Sequence, residues 1–190
     1  MEPPLLKLIG NWLIMDIRIE IMSGAQGWRL ACGLLDAVWP ADVVADLPWK
    51  DVVWADPHSR ILVMDGRDDV LAHAGLFLRD ARLDEHPVRI CGVGGVATRA
   101  DCRGRGRAGE LMRRAVTEMR DTHAVDFGLL FCEPRHAPLY ERLGWYAFAG
   151  EVHVEQPKLG RIRFDVTDPY VFDMGLAPRA GILDLGGLPW

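Results

Sequence analysis

Between Val88 and Arg120 the sequence passes from a strand through a glycine-rich turn into a helix, and this succession narrows the folds open to the chain. The strand, Val88 to Thr98, is interrupted by Gly92, Gly94 and Gly95, and glycines inside a strand mark a bulge or a close approach of another group. After the loop Arg99 to Arg105, Leu111, Met112, Ala115, Val116 and Met119 recur on one side of a helix over Arg107 to Arg120. The first N–H groups of a helix lack internal partners, and the helix dipole adds partial positive charge there. Glycines let such amides converge on a phosphate. Seven arginines stand between Arg99 and Arg120 against Asp101, Glu110 and Glu118, whereas the whole chain carries a net charge of −5. That balance excludes a general nucleic-acid binder and points to a small, multiply charged anion held at one place.

Other phosphate sites use the same physics. Gly104-x-Gly106-x-x-Gly109 formally matches the dinucleotide fingerprint, which should open a unit of parallel sheet with a ribose-binding acid about 20 residues on. Here the loop follows hairpin-like strands, and Leu129 and Leu130 stand at that distance. No P-loop string occurs. The plainer alternative is a tight turn with solvated arginines.

The rest of the chain reads as one α/β domain. Asp16 to Met22 alternates as a strand, Ala25 to Trp39 has helical spacing, and Ala41 to Asp56 suggests one or two short helices. Strands follow at Arg60 to Met64 and Val70 to Leu83, and a buried strand at Val125 to Cys132. A short helix is expected at His136 to Leu143, then strands at Trp145 to Val154 and Ile162 to Met174. Residues 1–14 read as an extension before a domain at 15–190, and Leu5 to Met15 is too short to span a bilayer and lacks signal-peptide features. No membrane segment is expected. Cys32, Cys91, Cys102 and Cys132 form no C-x-x-C pair, which fits a reducing cytoplasm. Glu133-x-x-His136 offers two ligands without a third, so no metal site is expected.

Two motifs carry a resemblance. Arg103-x-x-Gly106-x-Ala108, following Val96-Ala97-Thr98, resembles the R/Q-x-x-G-x-G/A signature of the GNAT N-acetyltransferases. Leu139-Tyr140-Glu141-Arg142-Leu143-Gly144-Trp145 is similar to a second element of that family. The resemblance implies a mixed, mostly antiparallel sheet flanked by helices and splayed open between the strands at 88–98 and 125–132, with acetyl-CoA in the gap. It further implies that Val96, Ala97 and Thr98 line the pantetheine arm. The run Arg103-Gly104-Arg105-Gly106-Arg107-Ala108-Gly109 would take the pyrophosphate. Tyr140 would be the general acid. The resemblance leaves the base unassigned; Glu133, at the end of the strand at 125–132, is the candidate, with His73 behind it and a water relayed by backbone carbonyls as the alternative.

The sequence is also similar to aminoglycoside 2′-N-acetyltransferases across Leu71 to Gly75, across Gly95 to Gly104, across Leu139 to Trp145 and in Trp190. It departs from them where they carry two acids, here Gly94 and Leu188, with Asp184 the nearest replacement. Ala72-His73-Ala74-Gly75-Leu76 resembles a string in the nodulation N-acyltransferases, which use longer acyl chains. Acceptor-side residues are expected at Trp28, Trp49, Gly94 and Trp190, with Trp39 and Trp54 in the same tryptophan- and aspartate-rich region. The activity implied is acetyl transfer from acetyl-CoA to a primary amine of a small molecule by direct attack. Longer-chain transfer, or a CoA-binding module without catalysis, is the alternative. Neither a nucleic-acid nor a membrane partner is implied, and a homodimer is left open.

Overall fold

The structure, a computed structural model, describes residues 17–190; the expected extension at 1–14 lies outside the described residues. Strand β1 (Arg18–Ser23) leads directly into helix α1 (Gly24–Val38), whose start is capped by the Ser23 side chain accepting from the Gln26 amide. Gly27, Ala31 and Leu34 form the buried stripe of α1. A Cβ at Gly27 would stand 2.8 Å from the Arg60 Cβ, so the glycine is what allows the helix to lie against the next strand. A short helix, α2 (Ala41–Ala45), follows.

Strands β2 (Ser59–Met64), β3 (Val70–Leu83) and β4 (His86–Thr98) form an antiparallel meander, with β1 on the outer edge of β2. Every residue of β2 is buried because helices cover both faces. Leu62 and Met64 cluster with Ala31 and Leu34 of α1. Ile61 and Val63 instead join Leu111, Met112 and Ala115 of helix α3 (Arg107–Glu118). Each Val, Leu, Ile or Met side chain among these, fully buried, contributes about 1.5–3 kcal/mol.

Helix α3 returns the chain to β5 (Phe127–Cys132), which pairs parallel with β4 over only Ile90–Val93 against Phe127–Leu130. Beyond Val93 and Leu130 the two strands part, as the splayed sheet required. A 3-10 turn (Pro134–His136) and helix α4 (Ala137–Glu141) then lead to Gly144, in the left-handed region at φ 91°.

The expected closing strands are corrected. The stretch 145–154 divides into β6 (Tyr146–Ala147) and β7 (Glu151–Gln156), and 162–174 divides between the end of β8 (Gly160–Arg163) and β9 (Asp168–Asp173). β6 pairs with β9, whereas β7 pairs with β8 and with β10 (Ile182–Asp184), at the other end of the sheet. The break falls at Gly150, where a Cβ would lie 2.1 Å from the Gly181 carbonyl oxygen. Alternation alone does not reveal that one apolar run serves two places. The sheet order is β6-β9-β5-β4-β3-β10-β7-β8, with β1 and β2 branching from the first half of β3. The result is an α/β domain with a mixed, mostly antiparallel, curled sheet flanked by helices.

Candidate active site

The parting of β4 from β5 begins at a distortion in β4. Its register with β3 shifts between His73 and Gly75, opposite Gly94 to Ala97, and Gly95 adopts φ 59°. His73, on β3, is buried under this bulge. Its Nδ1 lies 2.7 Å from the Gly95 carbonyl oxygen, and its Nε2 lies 2.9 Å from a guanidinium nitrogen of Arg60. A carbonyl only accepts and a guanidinium only donates, so Nδ1 carries the hydrogen and Nε2 is the acceptor. Burial lowers the imidazole to about 4, with the Arg60 charge acting in the same direction and the Gly95 bond opposing. Both ring nitrogens are therefore engaged in holding backbone and guanidinium. The expectation of His73 as a base is corrected, because no lone pair is left to receive a proton.

After Thr98 the chain makes a 3-10 turn (Ala100–Cys102) and reaches Gly104 and Gly106, at φ 73° and 80°. Nothing lies within 4 Å of where their Cβ atoms would be, so this side of the loop is open. The first helical bond runs from the Glu110 amide to the Gly106 carbonyl at 3.0 Å. Among the described residues, the amides of Gly104, Arg105, Gly106, Arg107, Ala108 and Gly109 donate to no protein acceptor. Six consecutive unpartnered donors at the positive end of a three-turn helix suit a diphosphate. Around them, Arg107 pairs with Glu110 at 2.8 Å, and Arg103 donates to the Thr98 carbonyl at 3.3 Å.

A cavity of about 900 Å³ opens from this loop into the gap between the strands. On the loop side it is bounded by Val96, Ala97, Thr98, Arg103 and Ala108. Cys132, Glu133 and Tyr140 face them from the end of β5 and from α4. Burial, with the Cys132 thiol as a lesser cause, raises the Tyr140 phenol well above its ordinary value. Burial likewise pushes the Cys132 thiol up to about 11. Glu133 is held by Arg135, with contacts of 2.7 and 3.0 Å.

The far wall is aromatic. Trp190 lies flat against β4, where a Cβ at Gly92 would fall 2.0 Å from its indole and one at Gly94 would fall 3.2 Å from it. Phe77 stacks on that indole at 5.5 Å and 15°. Trp39, Trp49 and Trp54 line the cavity from the segment after α1. Trp28 does not, and its expected acceptor role is corrected. It stands on α1 beside, not at the end of, the buried stripe, is 46% exposed, and carries the Arg60 guanidinium over its ring at 5.1 Å. The helix instead reaches the cavity through Leu35 and Val38, at its C-terminal end. Phe77 and Arg60 were not anticipated; a lone arginine opening an apolar strand run was the available signal for the second.

A smaller cavity of about 320 Å³ lies behind α3, lined by Met112, Trp145 and Phe172 among others, with no carboxylate, histidine or thiol among its described lining residues. Among the described residues no group of three or more His, Cys, Asp or Glu could hold a metal ion. No described helix is long and apolar enough to cross a membrane.

Residues 27–148 match the acetyltransferase (GNAT) domain family. The Escherichia coli protein YhbS, a GNAT family N-acetyltransferase crystallised in complex with CoA, superposes with a TM-score of 0.59 at 13% identity, covering 94% of each chain. Escherichia coli ElaA gives 0.57 at 15% identity, over 83% of this chain and 99% of that one. An acyl-CoA N-acyltransferase from Pseudomonas aeruginosa gives 0.57 at 16%, with the same coverage. At these identities the likeness is one of fold. No protein of curated function matches the sequence.

Proposed function

Because the chain belongs to the GNAT acetyltransferase domain family, and so is an acyl-CoA-dependent transferase, we propose that it moves acetyl from acetyl-CoA to the primary amine of a small molecule by direct attack. The observation that carries this reading is the run of unpartnered amides from Gly104 to Gly109, beside a sheet edge that loses its strand partner after Val93. The amides, with Arg103, would hold the diphosphate. The free edge of Val96, Ala97 and Thr98 would align the pantetheine arm. Acetyl-CoA supplies an acyl group on a good leaving sulfur.

The chain's own groups move the protons. Tyr140, kept protonated by burial, donates to the leaving sulfur; such general-acid help is typically worth ~10²–10⁴ in rate. The new C–N bond forms as the C–S bond breaks. Glu133 accepts the proton shed by the attacking nitrogen, and one proton per turnover leaves to solvent when the amine begins as an ammonium. Cys132 is the one thiol on the cavity wall among the described residues, and its raised pKa keeps it unreactive near neutrality, which favours direct attack over an acyl-cysteine. Four free cysteines, three of them buried, suit a reducing compartment.

Longer-chain transfer is the second reading, favoured by the volume of the apolar wall, and initial rates with acetyl-, octanoyl- and palmitoyl-CoA separate the two. The test of the first is calorimetry with CoA. Replacing Arg103 by Ala and Gly106 by Asp together is expected to abolish binding while the circular dichroism spectrum is retained. Unchanged affinity in a folded variant refutes the loop assignment.

A further inference from the structure

We infer that the acceptor is a singly charged amine on a flat apolar body rather than a polycation, an inference that rests on the acyl-transfer reading of this same cavity. Its wall on the acceptor side is built of Trp39, Trp49, Trp54, Phe77, Phe131 and Trp190. Phe77, Trp190 and Phe131 pack in succession at 5.5 and 5.9 Å, and Phe164 behind them meets both Phe131, at 4.8 Å, and Trp54, at 6.0 Å. Such a surface recognises a planar hydrocarbon by area removed from water and one nearby cation by the ring faces.

The charges on the wall point the same way. Among the described lining residues the carboxylates are Asp56 and Glu133, against the guanidinium groups of Arg60, Arg103 and Arg135. Glu133 is already paired with Arg135, whereas Asp56 is exposed and, among the described residues, makes no ion pair; its charge reaches Arg60 only through space. Among the described residues this leaves one unpaired carboxylate for one ammonium and none for the second and third ammonium groups of a polycation, and burying those unpaired is costly. A Cβ at Gly94 would meet Trp190 and Phe77 at 3.2 Å, so a side chain there is accommodated only if those rings give way. Desolvation against the apolar wall lowers the pKa of a bound ammonium, which assists Glu133 in taking its proton. The apolar wall thus does part of the work otherwise asked of a strong base.

The experiment measures thiol release from acetyl-CoA with 2-phenylethylamine, spermidine and kanamycin on the intact protein and on two variants. A kcat/KM for 2-phenylethylamine roughly ten- to a hundredfold above the polycations is expected, the factor that burial of one ring supplies. Trp49→Ala should raise its KM about tenfold and leave the KM for acetyl-CoA unchanged, as loss of a ring contact would. Val44→Asp, which adds a carboxylate to the wall, should narrow the preference towards spermidine. A polycation preferred by the unaltered protein overturns the inference. So does a Trp49→Ala effect confined to octanoyl-CoA, which would give the wall to the acyl chain. If CoA binds but no amine turns over, the acyl-transfer reading fails. Calorimetry on the CoA-bound protein then decides the acceptor question: 2-phenylethylamine binding alone sustains the pocket assignment, and spermidine binding overturns it.

Discussion

His73 donates its Nδ1 hydrogen to the Gly95 carbonyl across 2.7 Å, and this bond holds β4 in the bulge from which the cofactor gap opens. The arrangement needs a neutral imidazole, because a protonated ring would confront Arg60 with no lone pair to offer. The folded-state value of about 4 lies below the ordinary unfolded value, ~6.5. The unfolded chain therefore takes the proton first. This site's stabilisation is complete above about pH 6.5 and is lost as pH falls towards 4, in total of order 3 kcal/mol. Urea unfolding from pH 4 to 7.5 should show that slope, and His73→Gln, which keeps polar contacts without titrating in this range, should flatten it. An unaltered slope removes the histidine from the account.

Gly92 and Trp190 form a second pair with a measurable consequence. A Cβ at Gly92 would sit 2.0 Å from the indole, so Gly92→Ala must push the ring from its seat. Overpacking of this kind costs about 1–3 kcal/mol. In a Trp190→Ala background the same change should cost little, giving a coupling of comparable size in a double-mutant cycle by denaturant unfolding. Additive effects would show that the ring does not rest on that glycine.

Tyr140→Phe removes one hydroxyl from a buried ring. The expected result is a kcat lower by ~10²–10⁴ with little change in the KM for acetyl-CoA. Melting temperature serves as the control for folding. A variant with undiminished kcat assigns the proton transfer to another group.

The half of the domain that surrounds the loop was legible because its signals are local. Strand, glycine turn and helix succeed one another from Val88 to Glu118, and Tyr140 falls within one short motif. What escaped depends on partners distant in sequence. His73 meets Arg60 only because β2 and β3 pair antiparallel with Leu62 opposite His73. The break at Gly150 is imposed by Gly181, and β10 is three residues long, below what alternation can reveal. Trp28 was misplaced because membership of a tryptophan- and aspartate-rich region does not tell which part of α1 meets the cavity, and Leu35 and Val38 do so instead.

The segment before β2 shows how the acceptor wall is secured. The Val53 amide and carbonyl are both bonded to the buried Gln156 side chain, at 2.9 and 3.0 Å, and the Ala55 amide donates to the Pro189 carbonyl at 2.8 Å. Contacts spanning over a hundred residues form late, since the intervening chain must first be brought to order. During synthesis and refolding, then, the machinery for gripping the nucleotide can be complete before the amine has anywhere to dock.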